Sequence, residues 1–81
     1  MKLVYFAWVR ERIGTASEEV STGARTVAEL VEDLRRRSPG HALAFADISA
    51  LRVAVDEEVT DFSAPIEGAR EVAFFPPMTG G

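Results

Sequence analysis

The chain has 81 residues, of which 47% are hydrophobic and 27% charged, and its formal net charge is −4. A chain of this length forms one small domain without a large internal active site, and its apolar content is too high for a disordered protein. The acidic balance argues against nucleic acids and anionic membranes as partners, and it favours a basic protein partner. The absence of cysteine excludes disulfides and thiolate sites.

The first residues have some features of a signal peptide, because the apolar residues 3–9 follow Lys2. The run is short, charged residues 10–12 follow at once and there is no small-residue cleavage site. No stretch has the roughly 20 apolar residues of a membrane span. We therefore interpret the run as a strand and expect a cytoplasmic protein with no membrane partner.

The N-terminal segment predicts a β-hairpin. Lys2 to Val9 is rich in β-forming residues, and both of its alternating faces are apolar, which is typical of a central strand. Gly14-Thr15 marks a turn, and Glu18 to Ser21 predicts a short, more exposed strand that pairs with the first.

The clearest local signal is a helix that begins at Thr26. Thr26 and Glu29 have the spacing of a capping box, in which each residue satisfies a backbone N–H group at the helix start. Apolar residues then recur at helical spacing, at Val27, Leu30, Val31 and Leu34. Arginines 35–37 suit the negative end of the helix dipole, and Ser38-Pro39-Gly40 stops the helix. We predict a core-packing helix with a solvated basic end.

The next segment predicts further short elements. Residues 41–47 form either a short second helix or an ordered loop. Leu51 to Val55 alternates as a strand, residues 56–58 suit a turn, and Val59 begins another short strand.

The last strand is predicted at Glu71 to Phe75, after a turn at Pro65 to Gly68. Pro76 and Pro77 end it because neither can donate a ladder hydrogen bond. This strand is strongly apolar, so we expect it to lie centrally beside the first. The order of elements predicts an α+β fold, with a mixed sheet of four to five strands and one main helix on one face.

Side-chain chemistry is sparse in this sequence. His41 is the only histidine and has no nucleophile or second metal ligand at a recognisable spacing, so we interpret it as a surface or partly packed residue. Neighbouring residues of a strand point to opposite sides, which favours solvated charge at Glu18-Glu19 and Glu57-Glu58 over an acid–base pair. There is no glycine-rich phosphate loop. We expect the domain to bind no metal or cofactor.

The remaining reactive group is the carboxylate of the last residue, in the segment Pro-Pro-Met-Thr-Gly-Gly at residues 76–81. The prolines keep the backbone extended, so this flexible tail can project about 15–18 Å from a domain of residues 1–75. Gly80 and Gly81 lack Cβ atoms and can pass through a narrow channel. Adenylation with ATP would let sulfide convert the carboxylate to a thiocarboxylate. A frayed terminus of small residues is the alternative interpretation.

The segment from Glu71 to Gly81 closely resembles the C-terminus of the small, sulfur-carrying subunits of molybdopterin synthase, the MoaD family. The start of the chain is similar to that family as well, at Lys2 to Trp8, Val9-Arg10-Glu11 and Gly14-Thr15. Pro65 to Gly68 resembles its turn before the last strand, whereas residues 16–50 match mainly in the order of elements. The resemblance implies a β-grasp, ubiquitin-like fold.

The resemblance also implies two successive protein partners. An E1-like adenylyltransferase would use ATP to activate Gly81 for sulfuration, and the large catalytic subunit of the synthase would then accept the tail. The thiocarboxylate would donate sulfur to cyclic pyranopterin monophosphate in molybdenum cofactor biosynthesis. Thr79 and Gly80 would lie in the channel of the partner, in a heterotetramer of two small and two large subunits. The small subunit would supply sulfur and would not be catalytic on its own.

In the family an apolar patch binds both partners, and it maps here to Phe6, Val59 and Phe75, with Met78 as a further partner contact. Phe6 and Phe75 belong to predicted central strands with more apolar surface than one helix can cover, which is typical of an interface. The alternative is that both are ordinary core residues. Many related carriers have Asn where this chain has Asp56, and both residues suit a turn.

Other functions share the same features. A sulfur carrier for thiamine or another pathway would have the same fold and the same Gly-Gly end, although residues 74–77 (Phe-Phe-Pro-Pro) favour the molybdopterin family. A ubiquitin-like modifier would join Gly81 to a lysine of another protein. A plain interaction domain would not need Gly81 at all.

Overall fold

The computed structural model describes residues 1–77, and its centre is a mixed five-stranded sheet. The strands, in chain order, are β1 (Lys2–Tyr5), β2 (Ser17–Glu19), β3 (Arg52–Val55), β4 (Glu58–Thr60) and β5 (Glu71–Phe75). They lie side by side in the order β2-β1-β5-β3-β4, with β1 and β5 parallel and the other neighbours antiparallel. The prediction that the last strand lies centrally beside the first is confirmed.

Helices cover one face of this sheet, and they are α1 (Ala7–Ile13), α2 (Val27–Arg35) and α3 (Pro39–Ala44), with a 3₁₀ turn at Ile48–Ala50. The predicted α+β class is confirmed, with two short helices beside the main one. The residues with almost no exposed surface include Leu3, Tyr5, Leu30, Leu34, Phe45, Val53, Val72 and Phe74. None of the helices within residues 1–77 combines the length and the apolarity that crossing a membrane requires.

The predicted start of α2 at Thr26 is confirmed, although the Glu29 carboxylate accepts from the Thr26 hydroxyl at 3.4 Å, where a capping box has it accept from the backbone N–H. The Thr26 hydroxyl accepts a hydrogen bond from the backbone N–H of Glu29 at 3.3 Å, as an N-cap residue should. The four apolar residues at helical spacing are all buried, at Val27, Leu30, Val31 and Leu34. Helix α2 therefore packs on the sheet through the stripe that the sequence predicts.

Ser38 has a second role that the prediction of a helix stop omits. Its hydroxyl accepts a hydrogen bond from the backbone N–H of His41 at 3.1 Å, and Pro39 occupies the first turn of α3. Proline suits this position because its missing N–H would have no intrahelical acceptor. The Ser38-Pro39-Gly40 segment thus separates α2 from α3 and also starts α3.

The prediction of a strand from Lys2 to Val9 is wrong beyond Tyr5, where the chain turns into α1. Ala7 has a φ of 52°, so the backbone leaves the extended conformation immediately after Phe6. Val9 is buried on α1, and the helix ends at Gly14, whose φ is 97°. The strand composition masks a helical pattern, since Val9 and Ile13 lie one helical turn apart.

The hairpin between β1 and β2 exists despite the inserted helix. Leu3 pairs with Glu18, and the observed strand is Ser17–Glu19 where Glu18 to Ser21 was predicted. Thus α1 forms the connection of this hairpin, and it brings its exposed N-terminal residues to the end of the sheet where β5 finishes.

The turn between β3 and β4 also fixes the start of β5. Asp56 and Glu57 have φ values of 48° and 72°, as in the two-residue hairpin turns that favour Asn and Asp. The Asp56 Oδ1 atom accepts hydrogen bonds from the backbone N–H groups of Arg70 at 2.9 Å and Glu71 at 3.0 Å. An asparagine side-chain oxygen can accept the same bonds, which explains why both residues suit this turn.

Candidate functional site at the root of the tail

The candidate site begins where β5 ends, at Phe75. The backbone N–H of Phe6 donates to the carbonyl of Phe74 at 3.1 Å, and Phe75 is the cross-strand partner of Arg52, so neighbouring strands hold this end on both sides. Pro76 and Pro77 follow and are half-buried. The other residues predicted to act in the tail lie outside the described residues: Met78, Thr79, Gly80 and Gly81.

An aromatic cluster anchors the end of β5. The Phe74 side chain has no exposed surface, and its ring packs edge-to-face against Phe45 with centroids 4.9 Å apart. The ring of Tyr5 stacks on Phe74 at 6.3 Å, and Phe62 lies 6.5 Å away on another side. Such pairs add stabilisation beyond their buried area, so the point from which the tail departs is rigidly attached to the core.

The sheet face opposite the helices is open and largely apolar. Paired residues of neighbouring strands project from the same side of a sheet. The register therefore places one apolar row across four strands, formed by Val4, Ala73, Ala54 and Val59. Val59 is 70% exposed at the edge of this row. Phe75 and Arg52 form the next row towards the tail.

The structure brings the three predicted docking residues onto this open face. Phe6 lies one residue beyond β1 and not in a strand, which corrects the prediction, but its extended backbone continues the alternation of the strand. Phe6 is 48% exposed, so its interpretation as a core residue is wrong, and Phe75 is half-buried. That partners bind Phe6, Val59 and Phe75 stays a prediction.

A polar network lies on the helical side of the sheet. His41 is buried, and its Nε2 atom lies 2.7 Å from Oε2 of Glu18 while its Nδ1 atom lies 2.7 Å from the Ser38 hydroxyl. The Tyr5 hydroxyl donates to the same Glu18 oxygen at 2.7 Å, and Arg37 lies 3.2 Å from the other. The prediction of solvated charge at Glu18 is wrong, because its pairing with Leu3 turns the carboxylate towards the helices.

The surroundings of Glu18 and Tyr5 shift the pKa values of both groups. Burial alone would raise the pKa of Glu18, but hydrogen bonds from Tyr5 and His41, together with the nearby charges, hold that pKa below its ordinary value. Burial first, and the bond to Glu18 second, raise the pKa of Tyr5 well above its ordinary value. Glu18 thus stays an anionic acceptor and Tyr5 a donor. The network ties β1 and β2 to α3 and is structural.

The described residues show no metal-binding cluster of three or more His, Asp or Glu side chains. A groove lined by Met1, Thr22, Arg25 and Ile66 lies where β1 begins, at the opposite end of the sheet from the tail. Part of the Pro65 to Gly68 turn lines this groove, but none of the residues predicted to act in the tail or in docking does. The tail root and the open face therefore remain the candidate site.

The ThiS family model matches residues 3–81. The chain is 41% identical, over 81 residues, to the molybdopterin synthase sulfur carrier subunit of Escherichia coli K12, and the match covers 100% of this chain and 99% of that protein. It is 30% identical to the protein of the same name from Haemophilus influenzae Rd, with the same coverage. The crystal structure of SAMP1 from Haloferax volcanii has a TM-score of 0.73 at 23% identity, over 100% of this chain and 98% of that one.

These matches confirm the resemblance that the two ends of the sequence indicate. They extend it over the whole chain, including residues 16–50, where the sequence alone showed little beyond the order of elements. The likeness to SAMP1 supports the ubiquitin-like β-grasp fold and nothing further. The chain belongs to the ThiS family.

Proposed function

We propose that this chain is the sulfur carrier subunit of a molybdopterin synthase and that the Gly81 carboxyl group carries the sulfur. The observation that carries this proposal is the 41% identity, over the whole chain, to a curated protein of that name. The geometry supports it, because the last strand is central and rigid and ends beside an exposed apolar face. The globular part then presents the root of the tail beside a docking surface.

The proposed chemistry takes place at the end of the tail. The Gly81 carboxylate attacks the α-phosphorus of ATP and releases pyrophosphate, which leaves an acyl adenylate. A sulfide equivalent then attacks the acyl carbon and expels AMP, and the product is a thiocarboxylate. The thiocarboxylate sulfur then bonds to cyclic pyranopterin monophosphate as a thioester. Water cleaves the bond between the acyl carbon and sulfur, which leaves the sulfur on the pterin and regenerates the Gly81 carboxylate. In this scheme an E1-like adenylyltransferase binds the ATP, and the domain itself binds no cofactor.

In this proposal two partners use the same open face in turn. The adenylyltransferase and the large synthase subunit each cover Phe6, Val59 and Phe75, with Met78 as a further contact, so one must leave before the other binds. Thr79 and Gly80 lie in the partner's channel, where small residues let the backbone pass. The complete synthase is a heterotetramer of two small and two large subunits.

Deletion of Gly81 tests the proposal most directly. We expect the truncated protein to keep its unfolding temperature and its partner binding, because the sheet ends at Phe75, but to lose sulfur transfer. Exact intact mass, or selective alkylation of the thioacid, detects the sulfur, and molybdopterin formation by the reconstituted synthase measures transfer. Gly23→Ala is the matched control, since a methyl group there meets open space. Full molybdopterin formation by the truncated protein would refute the proposal.

The covalent state of the full-length protein, purified from its own cells, distinguishes the other candidate functions. Isopeptide adducts of Gly81 with lysines of other proteins would support a modifier. A free sulfurated monomer supports a carrier, and reconstitution with the large synthase subunit distinguishes the molybdopterin pathway from a thiamine-type pathway.

A further inference from the structure

The open face carries a cation next to its aromatic residues. Arg52 is exposed and is the cross-strand partner of Phe75, while its neighbour Val53 is fully buried towards the helices. Arg52 therefore projects from the same side as Phe75. One of its guanidinium N–H groups donates to the backbone carbonyl of Leu51 at 2.9 Å. That bond uses one of the five donors that a guanidinium has.

Several other basic residues near the sheet have acidic neighbours. Lys2, on the same face, is the cross-strand partner of Glu71. Arginines 35–37 form ion pairs with acidic side chains on the helical side. Within residues 1–77 the Arg52 guanidinium makes no salt bridge. Arg52 is thus a cation without an ion pair in the row that it shares with Phe75, next to the root of the tail.

Docking over Phe75 changes the environment of Arg52. A partner that covers Phe75 removes water from its cross-strand neighbour as well. A desolvated guanidinium charge without an acceptor is strongly unfavourable. A carboxylate can accept two parallel N–H bonds from the planar guanidinium and so offsets this cost.

We infer that a partner bound to the open face places a carboxylate against Arg52, and that Arg52 thereby contributes to the choice of partner. This inference rests on the proposed function, because it takes that face to be the docking surface. The apolar residues supply contact area that many surfaces can match, whereas a charge inside that area penalises any surface without an acidic residue at the same place. Arg52 is a specificity residue and takes no part in the sulfur chemistry.

The test uses the full-length chain with the adenylyltransferase and the large synthase subunit of the same organism. Affinities of Arg52→Leu, Arg52→Glu and Arg52→Lys for each partner are measured by calorimetry at low and high salt. We expect about tenfold weaker binding of at least one partner for Arg52→Leu and a larger loss for Arg52→Glu. Arg52→Lys keeps the charge but not the bidentate geometry, so we expect it to fall between the wild type and Arg52→Leu.

Arg36→Leu and Arg36→Glu are the matched controls, because they make the same changes of charge on the helical side of the sheet. We expect less than a twofold change for both. Thermal unfolding checks that every variant is folded. Salt should weaken binding of the wild type more than binding of Arg52→Leu, since only the wild type keeps the ion pair.

A charge swap identifies the partner's carboxylate. Changing the contacting Asp or Glu of the partner to Arg should restore binding of Arg52→Glu and weaken binding of the wild-type chain. If Arg52→Leu binds both partners as tightly as the wild type, or more tightly, the guanidinium bends away into solvent and the inference is wrong. If the wild-type chain binds neither partner, the proposed function fails and the inference fails with it.

Discussion

Phe74 and Phe75 are neighbours in sequence and lie on opposite faces of the same strand. Phe74 has no exposed surface and contacts an aromatic cluster, whereas Phe75 lies half-buried on the open face beside Phe6 and Arg52. On the closed face, packing determines which residues are tolerated. On the open face packing demands little, and the proposed docking role would explain why an aromatic residue lies there.

The largest expected effect comes from replacing each phenylalanine side chain by alanine. We expect Phe74→Ala to lower the free energy of unfolding by about 3–5 kcal/mol, because it leaves a cavity in the core. Phe75→Ala should lower it by only about 1 kcal/mol. Urea denaturation measures both values. For variants that remain folded, we expect the opposite order in partner affinity, with Phe75→Ala binding the proposed partners more weakly than Phe74→Ala. Equal stability losses would contradict the assignment of the two faces.

The second test concerns how tightly the helices of the closed face pack together. A Cβ atom at Gly40 of α3 would overlap the backbone carbonyl of Arg12 in α1. We expect Gly40→Ala to cost about 2 kcal/mol of unfolding free energy, since backbone cannot move aside as easily as a side chain. Gly23→Ala, where a methyl group meets open space, should leave stability unchanged or raise it by about 0.5 kcal/mol. Equal effects of the two changes would contradict this packing.

A pH titration tests the polar edge of the closed face. The pKa of Glu18 is held below its ordinary value of 4.5, so its contribution to stability is complete above that pH and is lost as the pH falls through the lower native pKa. Glu18→Gln should cost about 1 kcal/mol at neutral pH and flatten the loss of stability in acid. Glu19→Gln, which changes an exposed neighbour, should leave the acid dependence nearly as it is. An unchanged acid profile in Glu18→Gln would refute the role of the network.

The smallest effect on stability is expected on the open face. Val59 is 70% exposed, so Val59→Ser should change the free energy of unfolding by no more than about 0.5 kcal/mol. If the open face is the docking surface, the same change should weaken partner binding several-fold, because a polar hydroxyl replaces an apolar contact. A variant with wild-type affinity would place Val59 outside the interface.

Local patterns predict the elements whose signals are complete within a few residues. Thr26 with Glu29 and the apolar stripe after them specify α2, and the apolar run that ends at two prolines specifies β5. Helix α1 was missed because Trp8 and Val9 have high strand propensity, and the turn at Ala7 needs a positive φ that alanine rarely adopts. Tertiary packing of Val9 overrides that propensity.

The polar network could not be predicted, since its members meet only in the folded chain. Glu18 and His41 are 23 residues apart, and nothing near either residue indicates the other. The open face was predicted in part. The apolar surface of their two predicted strands, which exceeds what one helix can cover, indicated Phe6 and Phe75. Val59 was identified only through the resemblance to the family. Nothing in the sequence indicated a role for Arg52, because its place beside Phe75 depends on the register of β3 and β5.

The parallel pairing of β1 with β5 has a consequence for synthesis of the protein. β1 is synthesised before β5, its central partner, so the sheet cannot close until β5 has also left the ribosome. A polypeptide that terminates early lacks its central strand and is open to proteolysis. A carrier that is folded when it reaches its partners has therefore been translated at least as far as β5, the strand that bears its tail.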